Sequence, residues 1–245
     1  MFQVYIDLMG YENIRLLIFF RDDIWNRIID NGFRESSHLT RKELITWDED
    51  SLFHLIMTRF IKNDELIKYL GLKRENLITK EDYTYLFNRI FPQEISQNGV
   101  FSFNWLISKI EDGNNNISPR ELIHLINSAI KQEIKIPFEE GEKEVKFLIS
   151  EASLWKALKE VSKTKLDTIL SEYPKLQTFI YRLKKKKVSS TSEELKDYWG
   201  CSKKEVKIIA DNLIKIGVLL DKNDNKVGKS PLYKIANLYR GALGY

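Results

Sequence analysis

The chain has 245 residues, 43% of them hydrophobic, and a net charge of +4, so it is long enough for two domains with packed cores. No apolar run approaches the roughly 20 residues of a membrane span. The chain does not begin with a basic region followed by an apolar core, so the sequence predicts no secretory signal peptide. We therefore expect a cytoplasmic protein that does not insert into a membrane.

Cysteine and histidine are too sparse for disulfide or metal chemistry. The single Cys201 excludes a disulfide framework and suits the reducing cytosol. His38, His54 and His124 have no ligand spacing with one another or with the cysteine, so the sequence predicts no metal site.

Charge is distributed unevenly between the two halves of the chain. Residues 151–245 hold 20 Lys and Arg against 11 Asp and Glu, whereas residues 1–150 hold 19 against 24. The basic half is therefore the candidate for contact with an anionic partner. A solvated, lysine-rich surface is the competing interpretation, and composition does not separate the two.

The first strong pattern is an apolar run over residues 14–20 that ends in Arg21, Asp22 and Asp23. Such a run predicts a strand buried on both faces of a parallel sheet. The polar triplet would then lie at the carboxyl end of the strand, where open α/β sheets bind ligands. A core strand followed by a solvated turn is the alternative. Only residues 44–47 offer a weak neighbouring strand. We therefore expect either that the sheet is mostly missing or that the rest of it comes from another chain or from sequence before Met1.

Most of the remaining chain shows helical spacing of apolar residues. Asp48 is predicted to cap a helix that runs to about Lys62, and Thr79 to begin one that ends before Pro92. The other predicted helices cover residues 2–9, 23–31, 101–110, 145–161, 165–172 and 176–187. Residues 64–131 are predicted to be helical throughout, with loops between the helices. A charged segment rich in Pro and Gly makes residues 137–149 the predicted linker.

The helix start with the most signals is Ser118-Pro119-Arg120-Glu121. Ser118 is the cap, Pro119 takes the first helical position, and Glu121 is placed to complete a capping box. Arg120 is unexpected, because a cation in the first turn opposes the helix dipole at a cost of about 0.3–1 kcal/mol. Since helix starts bind anions, Arg120 is a candidate phosphate contact. An arginine paired with a nearby carboxylate is the alternative.

The last third of the chain has the clearest local pattern. Capping boxes at Thr191 with Glu194 and at Ser202 with Glu205 begin two helices, which a short turn at Gly200 separates. A strand over residues 218–221, a turn over 222–228 and a strand over 231–235 follow. This order predicts a winged helix.

The predicted winged helix offers few side chains that read bases. Lysines for phosphate contacts lie near the start of its second helix and on its wing, and one amide could read a base edge. These candidate DNA-binding residues are Lys203, Lys204, Lys207, Lys226, Lys229 and Asn212. Weak binding that does not depend on DNA sequence is the expectation.

Gly228-Lys229-Ser230 matches the end of a phosphate-binding loop, but Asn223 stands where the pattern needs glycine. Pro231 and the residues after it also read as extended, whereas the motif requires a helix there. The sequence therefore predicts no phosphate-binding loop within this chain.

The order of these segments resembles a family. Phe-Arg-Asp-Asp-Ile over residues 20–24, Ile-Thr-Trp-Asp over 45–48, the Leu52–Phe60 helix, Ser-Pro-Arg-Glu-Leu-Ile over 118–123 and the predicted winged helix occur in that sequence. This is similar to the C-terminal half of P-loop ATPases of the STAND and AAA-type lineage in bacteria and archaea.

The resemblance implies roles for particular residues. Arg21, with Asp22 beside it, would carry the sensor-1 function at the end of its strand, and Arg120 after Pro119 would be sensor 2. Arg59 matches a recurring position of unclear role. The Walker A and Walker B segments are absent, so we expect no ATP hydrolysis by the chain alone. ATP and Mg²⁺ would bind only if a nucleotide-binding core were supplied.

The sequence thus predicts a mainly α protein of the α+β class. Residues 1–48 would be the remnant of an α/β ATPase core, 49–136 a helical lid, 137–149 a linker and 150–245 a winged helix. The module would couple nucleotide state to conformation or to a partner, with antiphage defence as the setting that the resemblance implies. Expected partners are the missing ATPase core, further copies in an oligomer and non-specific DNA. The alternative is a winged-helix DNA-binding regulator with a helical sensing domain at its N-terminus.

Overall fold

The computed structural model describes residues 43–95, 99–136, 146–222 and 232–245, together with residues 4, 7, 8, 10–19, 24, 25 and 28. The chain forms two compact units, residues 1–46 and 47–245. The described part of the second unit contains ten α-helices and five short strands, so the prediction of a mainly α chain is confirmed. None of the described helices combines the length and the apolar character that crossing a membrane requires.

The helices are α1 (Glu49–Ile61), α2 (Asp64–Tyr69), α3 (Lys80–Ile90), α4 (Ser102–Ile110), α5 (Pro119–Glu133), α6 (Glu151–Glu172), α7 (Gln177–Tyr181), α8 (Ser192–Trp199), α9 (Lys203–Lys215) and α10 (Asn237–Leu243). The strands are β1 (Glu94–Ile95), β2 (Val100–Phe101), β3 (Ser189–Thr191), β4 (Leu219–Asp221) and β5 (Leu232–Ile235). Short 3-10 helices cover Arg74–Asn76 and Pro174–Leu176.

Local side-chain caps fix the helix starts where the sequence predicts them. The Asp48 carboxylate accepts a hydrogen bond from the Ser51 backbone N–H at 2.7 Å, which satisfies a free donor at the start of α1. Reciprocal capping boxes begin α3, α8 and α9 at Thr79, Thr191 and Ser202.

The long helix α6 corrects two sequence-based predictions. Residues 145–161 and 165–172 do not form two helices, because α6 is continuous over 22 residues and begins after its cap, Ser150. No Pro or Gly lies between the two predicted segments, and Val161, Ser162 and Leu166 continue one buried stripe. The helix predicted over residues 176–187 is also too long, because α7 ends at Tyr181.

Two side-chain contacts hold α5 against α6, one near each end of α5. Near its C-terminus, the Glu133 carboxylate accepts hydrogen bonds from both the backbone N–H and the hydroxyl of Ser150, each at 2.7 Å. Near its N-terminus, the Lys165 ammonium lies 2.8 Å from the Glu121 carboxylate. The helices on either side of the predicted linker therefore pack within one compact unit.

A three-stranded antiparallel sheet follows, in the order β3-β5-β4. Lys234 on the central strand is paired with Ser189 on one side and with Leu220 on the other. Strands β1, β2 and β3 and helix α10 were not predicted as separate elements. Helix α10 packs closely on α6, where a Cβ added at Gly241 would lie 3.2 Å from the Ser162 side chain.

The predicted strand over residues 14–20 is not formed. Residues 14–19 form no hydrogen-bonded strand, and Leu17 and Phe19 are 80% and 79% exposed. Residues 44–47 form no strand either, and Ile45 is 68% exposed. The physical reason is that a strand needs a hydrogen-bonded neighbour, and the described residues of the first unit contain none. Residue 20, residues 137–145 of the predicted linker and most of the helix predicted over residues 23–31 lie outside the described residues.

Candidate functional site

Arg120 lies in the first turn of α5 with its side chain exposed to solvent. Its backbone N–H donates to the Ser118 hydroxyl at 3.2 Å, and that bond caps the helix. Among the residues that the structure describes, no carboxylate forms an ion pair with the guanidinium. The alternative interpretation, in which Arg120 pairs with a nearby carboxylate, is therefore not found among the described residues. The cation faces solvent at the positive end of the helix dipole.

Glu121 does not complete the predicted capping box. The residue is only 7% exposed, and its carboxylate accepts a hydrogen bond from Lys165 on α6 instead. A charged ammonium is a stronger donor than the backbone N–H of the cap, which explains the exchange of partners. Burial would raise the pKa of Glu121, but side-chain hydrogen bonds with Lys165 and Ser118, together with the charge of Lys165, outweigh burial and hold that pKa below its ordinary value. The acidic residue beside Arg120 is thus engaged elsewhere.

Replacing Glu121 by Ala is expected to lower the free energy of unfolding by about 2 kcal/mol at neutral pH, because the partly buried Lys165 would lose its partner. The folded-state pKa of Glu121 is lowered, so its contribution is complete above about pH 4.3, the ordinary value. It is lost as pH falls through the lowered pKa. Urea denaturation of the wild type and the variant across this range measures the difference.

The matched control for this prediction is Glu65→Ala, which removes an exposed glutamate from the first turn of α2. Its effect should stay within about 0.5 kcal/mol. An equal loss in both variants, or a loss in Glu121→Ala that does not shrink in acid, would show that the pair with Lys165 is not the cause.

The structure describes only some of the other residues to which the resemblance assigns a role. Pro119 occupies the first helical position of α5, as predicted. Arg59 is exposed in the last turn of α1. Arg21 and Asp22 lie outside the described residues, so their relation to Arg120 stays a prediction.

The candidate DNA-binding residues that the structure describes lie on α9. Lys203 is paired with Glu193 at 2.9 Å, which reduces its availability for a phosphate. Lys204, Lys207 and Asn212 are exposed. Lys226 and Lys229 lie outside the described residues.

The exposed face of α9 carries mixed chemistry. Helical spacing places Lys204, Lys207, Ile208, Asp211 and Lys215 on this face, which we call the α9 face. Ile208 is 55% exposed at its centre, and Asp211 brings a negative charge beside the lysines. The face attracts phosphates weakly and offers no base-reading pair of side chains.

The turn over residues 112–116 joins the end of α4 to the end of α9. The Gly113 backbone N–H donates to the Gly217 carbonyl at 2.7 Å, and the Asn114 side chain donates to the Lys215 carbonyl at 3.3 Å. A Cβ added at Gly113 would lie 2.3 Å from the Leu219 carbonyl oxygen, so only glycine fits. Asp, Gly and Asn over residues 112–116 are typical turn residues. The sequence does not indicate the contact with the end of α9, because the partners are about a hundred positions away.

The described residues contain no group of His, Cys, Asp and Glu side chains that could hold a metal ion. Comparisons with protein families, with curated proteins and with solved structures find no match to this chain.

Proposed function

We propose that this chain is the lid and winged-helix module of a P-loop ATPase, in which it couples nucleotide state to conformation and partner binding. The observation that carries the proposal is Arg120, an exposed cation without a described carboxylate partner in the first turn of α5. A nucleotide phosphate placed there would meet both the helix start and the guanidinium.

Arg120 is not needed to form the helix. Ser118 caps α5 and Pro119 presets its first turn, so the arginine adds only an unfavourable charge at this position. Residues that break such local rules concentrate at functional sites. In the proposed role, Arg120 contacts the γ-phosphate side of a nucleotide held by a separate core.

The apolar residues 14–19 support a core supplied from elsewhere. In an extended segment, Leu17 and Phe19 would lie on one face and Leu16 on the other. All three residues are exposed, so both faces of such a segment would present apolar side chains. This is the composition of a strand that has neighbours on both sides and cover on both faces. In the proposed assembly the segment completes the ATPase sheet and brings Arg21 and Asp22 to its carboxyl end.

The order β3, α8, α9, β4, β5 supports the proposed winged helix. Gly200 ends α8 with a positive φ of 64°, and the Trp199 indole N–H donates to the Phe179 carbonyl at 3.0 Å, which fixes α8 on α7. The contacts of Glu133 with Ser150 and of Gly113 with Gly217 join this region to the proposed lid. A displacement of α5 at Arg120 would therefore be transmitted from the proposed lid to the proposed winged helix.

ATP turnover tests this function. The isolated chain should show no hydrolysis above background, because groups that hold phosphates and Mg²⁺ are supplied by the core. The affinity-tagged chain recovered from its native host should carry an ATPase activity that depends on Mg²⁺. Turnover by the repurified isolated chain, or recovery of the chain without any ATPase, would contradict the proposal. The setting in antiphage defence is supported by the resemblance alone.

A DNA-binding regulator is the second candidate, and the lysines of the α9 face favour it. Under the ATPase-module proposal, by contrast, any affinity of this chain for DNA should be weak and steeply dependent on salt, because lysine–phosphate contacts release counterions and Asn212 is the main base-reading side chain. Between about 50 and 200 mM salt, three phosphate contacts should cost roughly 40-fold in affinity.

Fluorescence anisotropy with a labelled duplex, titrated at several salt concentrations, measures this dependence. Replacing Lys204 and Lys207 by Gln should reduce the salt slope, whereas Lys62→Gln, at the end of α1, should leave it unchanged. Nanomolar binding that depends on DNA sequence at physiological salt would favour the regulator over the ATPase module.

A further inference from the structure

The outward side of α5 carries a row of isoleucines. Ile123, Asn127, Ile130 and Ile134 follow one another at intervals of four, three and four residues, which lines their side chains up on one side of the helix. Ile134 caps the helix and keeps helical backbone angles, so the spacing holds to its end. We call these four residues the α5 seam. Ile134 is 78% exposed and Ile130 36% exposed.

The charges of α5 are divided between its two sides. Its two acidic residues, Glu121 and Glu133, are held by contacts with α6 at 2.8 and 2.7 Å. The lysines lie on the other side, where Lys131 follows Ile130 in the last turn and Lys135 comes directly after Ile134, and both lysines are exposed. Within the part of the chain that the structure describes, no carboxylate pairs with either lysine. The outward side of α5 is therefore both apolar and positively charged.

The stability of the helix explains only part of this pattern. Lysines near a helix C-terminus interact favourably with the helix dipole, which accounts for Lys131 and Lys135. The isoleucines have no such explanation, because isoleucine is a weaker helix former than alanine or leucine. A single exposed apolar residue is ordinary, whereas a contiguous apolar row with a polar rim marks an interaction site.

A second copy of this chain would fit the α5 seam poorly. Parallel packing of two α5 helices would place each cation next to its own counterpart. Antiparallel packing around Asn127 would bring Lys131 and Lys135 of one copy toward the end of the other that carries Arg120. Like charges placed together across an interface oppose association, so the complementary partner is acidic.

We propose that the α5 seam binds an acidic amphipathic helix of another protein, whose apolar side packs on Ile130 and Ile134 and whose carboxylates meet Lys131 and Lys135. The alternating intervals of three and four residues are those of a helix that packs along a second helix, and a polar residue within such a row sets the register of the pair. Asn127 has this position. The 15 residues of α5 are about 22 Å long, which accommodates two heptads of the partner.

A phosphate-rich surface fits less well, because nucleic acid would leave the isoleucines without apolar contacts. The inference does not rest on the proposed ATPase role, since Arg120 is not part of the α5 seam and the test below contains no nucleotide.

Fluorescence anisotropy of the full chain with a labelled synthetic peptide tests the proposal. The peptide has about three heptads, with Leu at the two apolar positions of each heptad and Glu at the positions that flank them. We expect saturable, micromolar binding at physiological salt. A peptide of the same composition with its leucines shuffled should bind about tenfold more weakly or not at all.

Ile134→Ser should weaken binding of the ordered peptide by about tenfold, because it removes an apolar contact of the interface. Its melting temperature should equal that of the wild type, since the side chain it replaces is exposed. Ile78→Ser is the matched control, because Ile78 is 76% exposed and lies outside α5, and it should bind as the wild type does.

Charge reversal tests the acidic character of the partner. Lys131→Glu should lose affinity for the acidic peptide and gain affinity for a peptide in which Lys replaces Glu. Lys215→Glu reverses another exposed lysine in the last turn of a helix, there α9, and should keep the wild-type preference.

The absence of saturable binding, equal affinity for the ordered and shuffled peptides, or an equal loss in Ile78→Ser would overturn the proposal. Phosphatidylserine vesicles that bind the chain more tightly than the peptide does, with Ile134→Ser abolishing that binding, would assign the α5 seam to a membrane surface instead. Dimerisation in sedimentation experiments that is lost in Ile134→Ser would assign it to a second copy, and would likewise overturn the acidic partner.

Discussion

Gly113→Ala is expected to lower the free energy of unfolding by about 3 kcal/mol, the range of substitutions that force atoms into a packed backbone. The added Cβ would lie 2.3 Å from the Leu219 carbonyl oxygen and 2.9 Å from the Gly217 carbonyl oxygen. Both obstacles are backbone atoms, which cannot move aside as a flexible side chain can. The 2.7 Å hydrogen bond from Gly113 to Gly217 must then lengthen or break.

Denaturant unfolding of the variant measures this loss, and Gly10→Ala is the matched control. Among the described residues, a Cβ at Gly10 would meet nothing closer than the Asp7 carbonyl at 3.9 Å, so the control should change stability by less than about 0.5 kcal/mol. A loss that small in Gly113→Ala would mean that the turn over residues 112–116 is not docked on the end of α9. The proposed lid and winged helix would then not move as one body.

Arg120→Ala is expected to separate function from stability. In the isolated chain the melting temperature should stay unchanged or rise slightly, because the substitution removes a cation that opposes the helix dipole. In the proposed assembly, the substitution should weaken the response to nucleotide by roughly 1.5–3 kcal/mol, the scale of a charge-assisted hydrogen bond. Nucleotide titrations of the wild-type and variant assemblies measure this difference.

Arg89→Ala is the matched control for Arg120, since it removes another exposed arginine from a helix, there in the last turn of α3. Its assembly should respond to nucleotide as the wild type does. A large loss of stability in the isolated Arg120→Ala chain would assign Arg120 a structural role and would remove the sensor interpretation.

Local features of the fold could be predicted from sequence because they are decided within a few residues. Asp48, Thr79, Thr191 and Ser202 cap the helices that follow them, since each side chain reaches a backbone N–H within three positions. Stretches of helical periodicity also identified the mainly α class. Breaks between helices were harder to place, as α6 shows.

Long-range contacts could not be predicted in the same way. Glu121 has the sequence of a capping box, but its partner is Lys165, which is 44 positions away and charged. Gly113 lies among residue types that are typical of turns, but nothing nearby in the sequence indicates its hydrogen bond with Gly217. The apolar run over residues 14–20 would be a buried strand only if other strands were present beside it. A strand forms only where neighbouring strands accept and donate its backbone hydrogen bonds, and the segment's own sequence does not show whether they exist.

Photo-crosslinking tests the central claim most directly, which is that α5 faces a nucleotide held by another core. The tagged assembly from the native host is incubated with Mg²⁺ and an ATP analogue that carries a photoreactive group on its γ-phosphate, and labelled peptides are identified by mass spectrometry. We expect label on the peptide that contains Ser118, Pro119 and Arg120, lost when excess ATP competes and absent from the isolated chain. Label confined to other proteins, or equal labelling of the isolated chain at this peptide, would contradict the account.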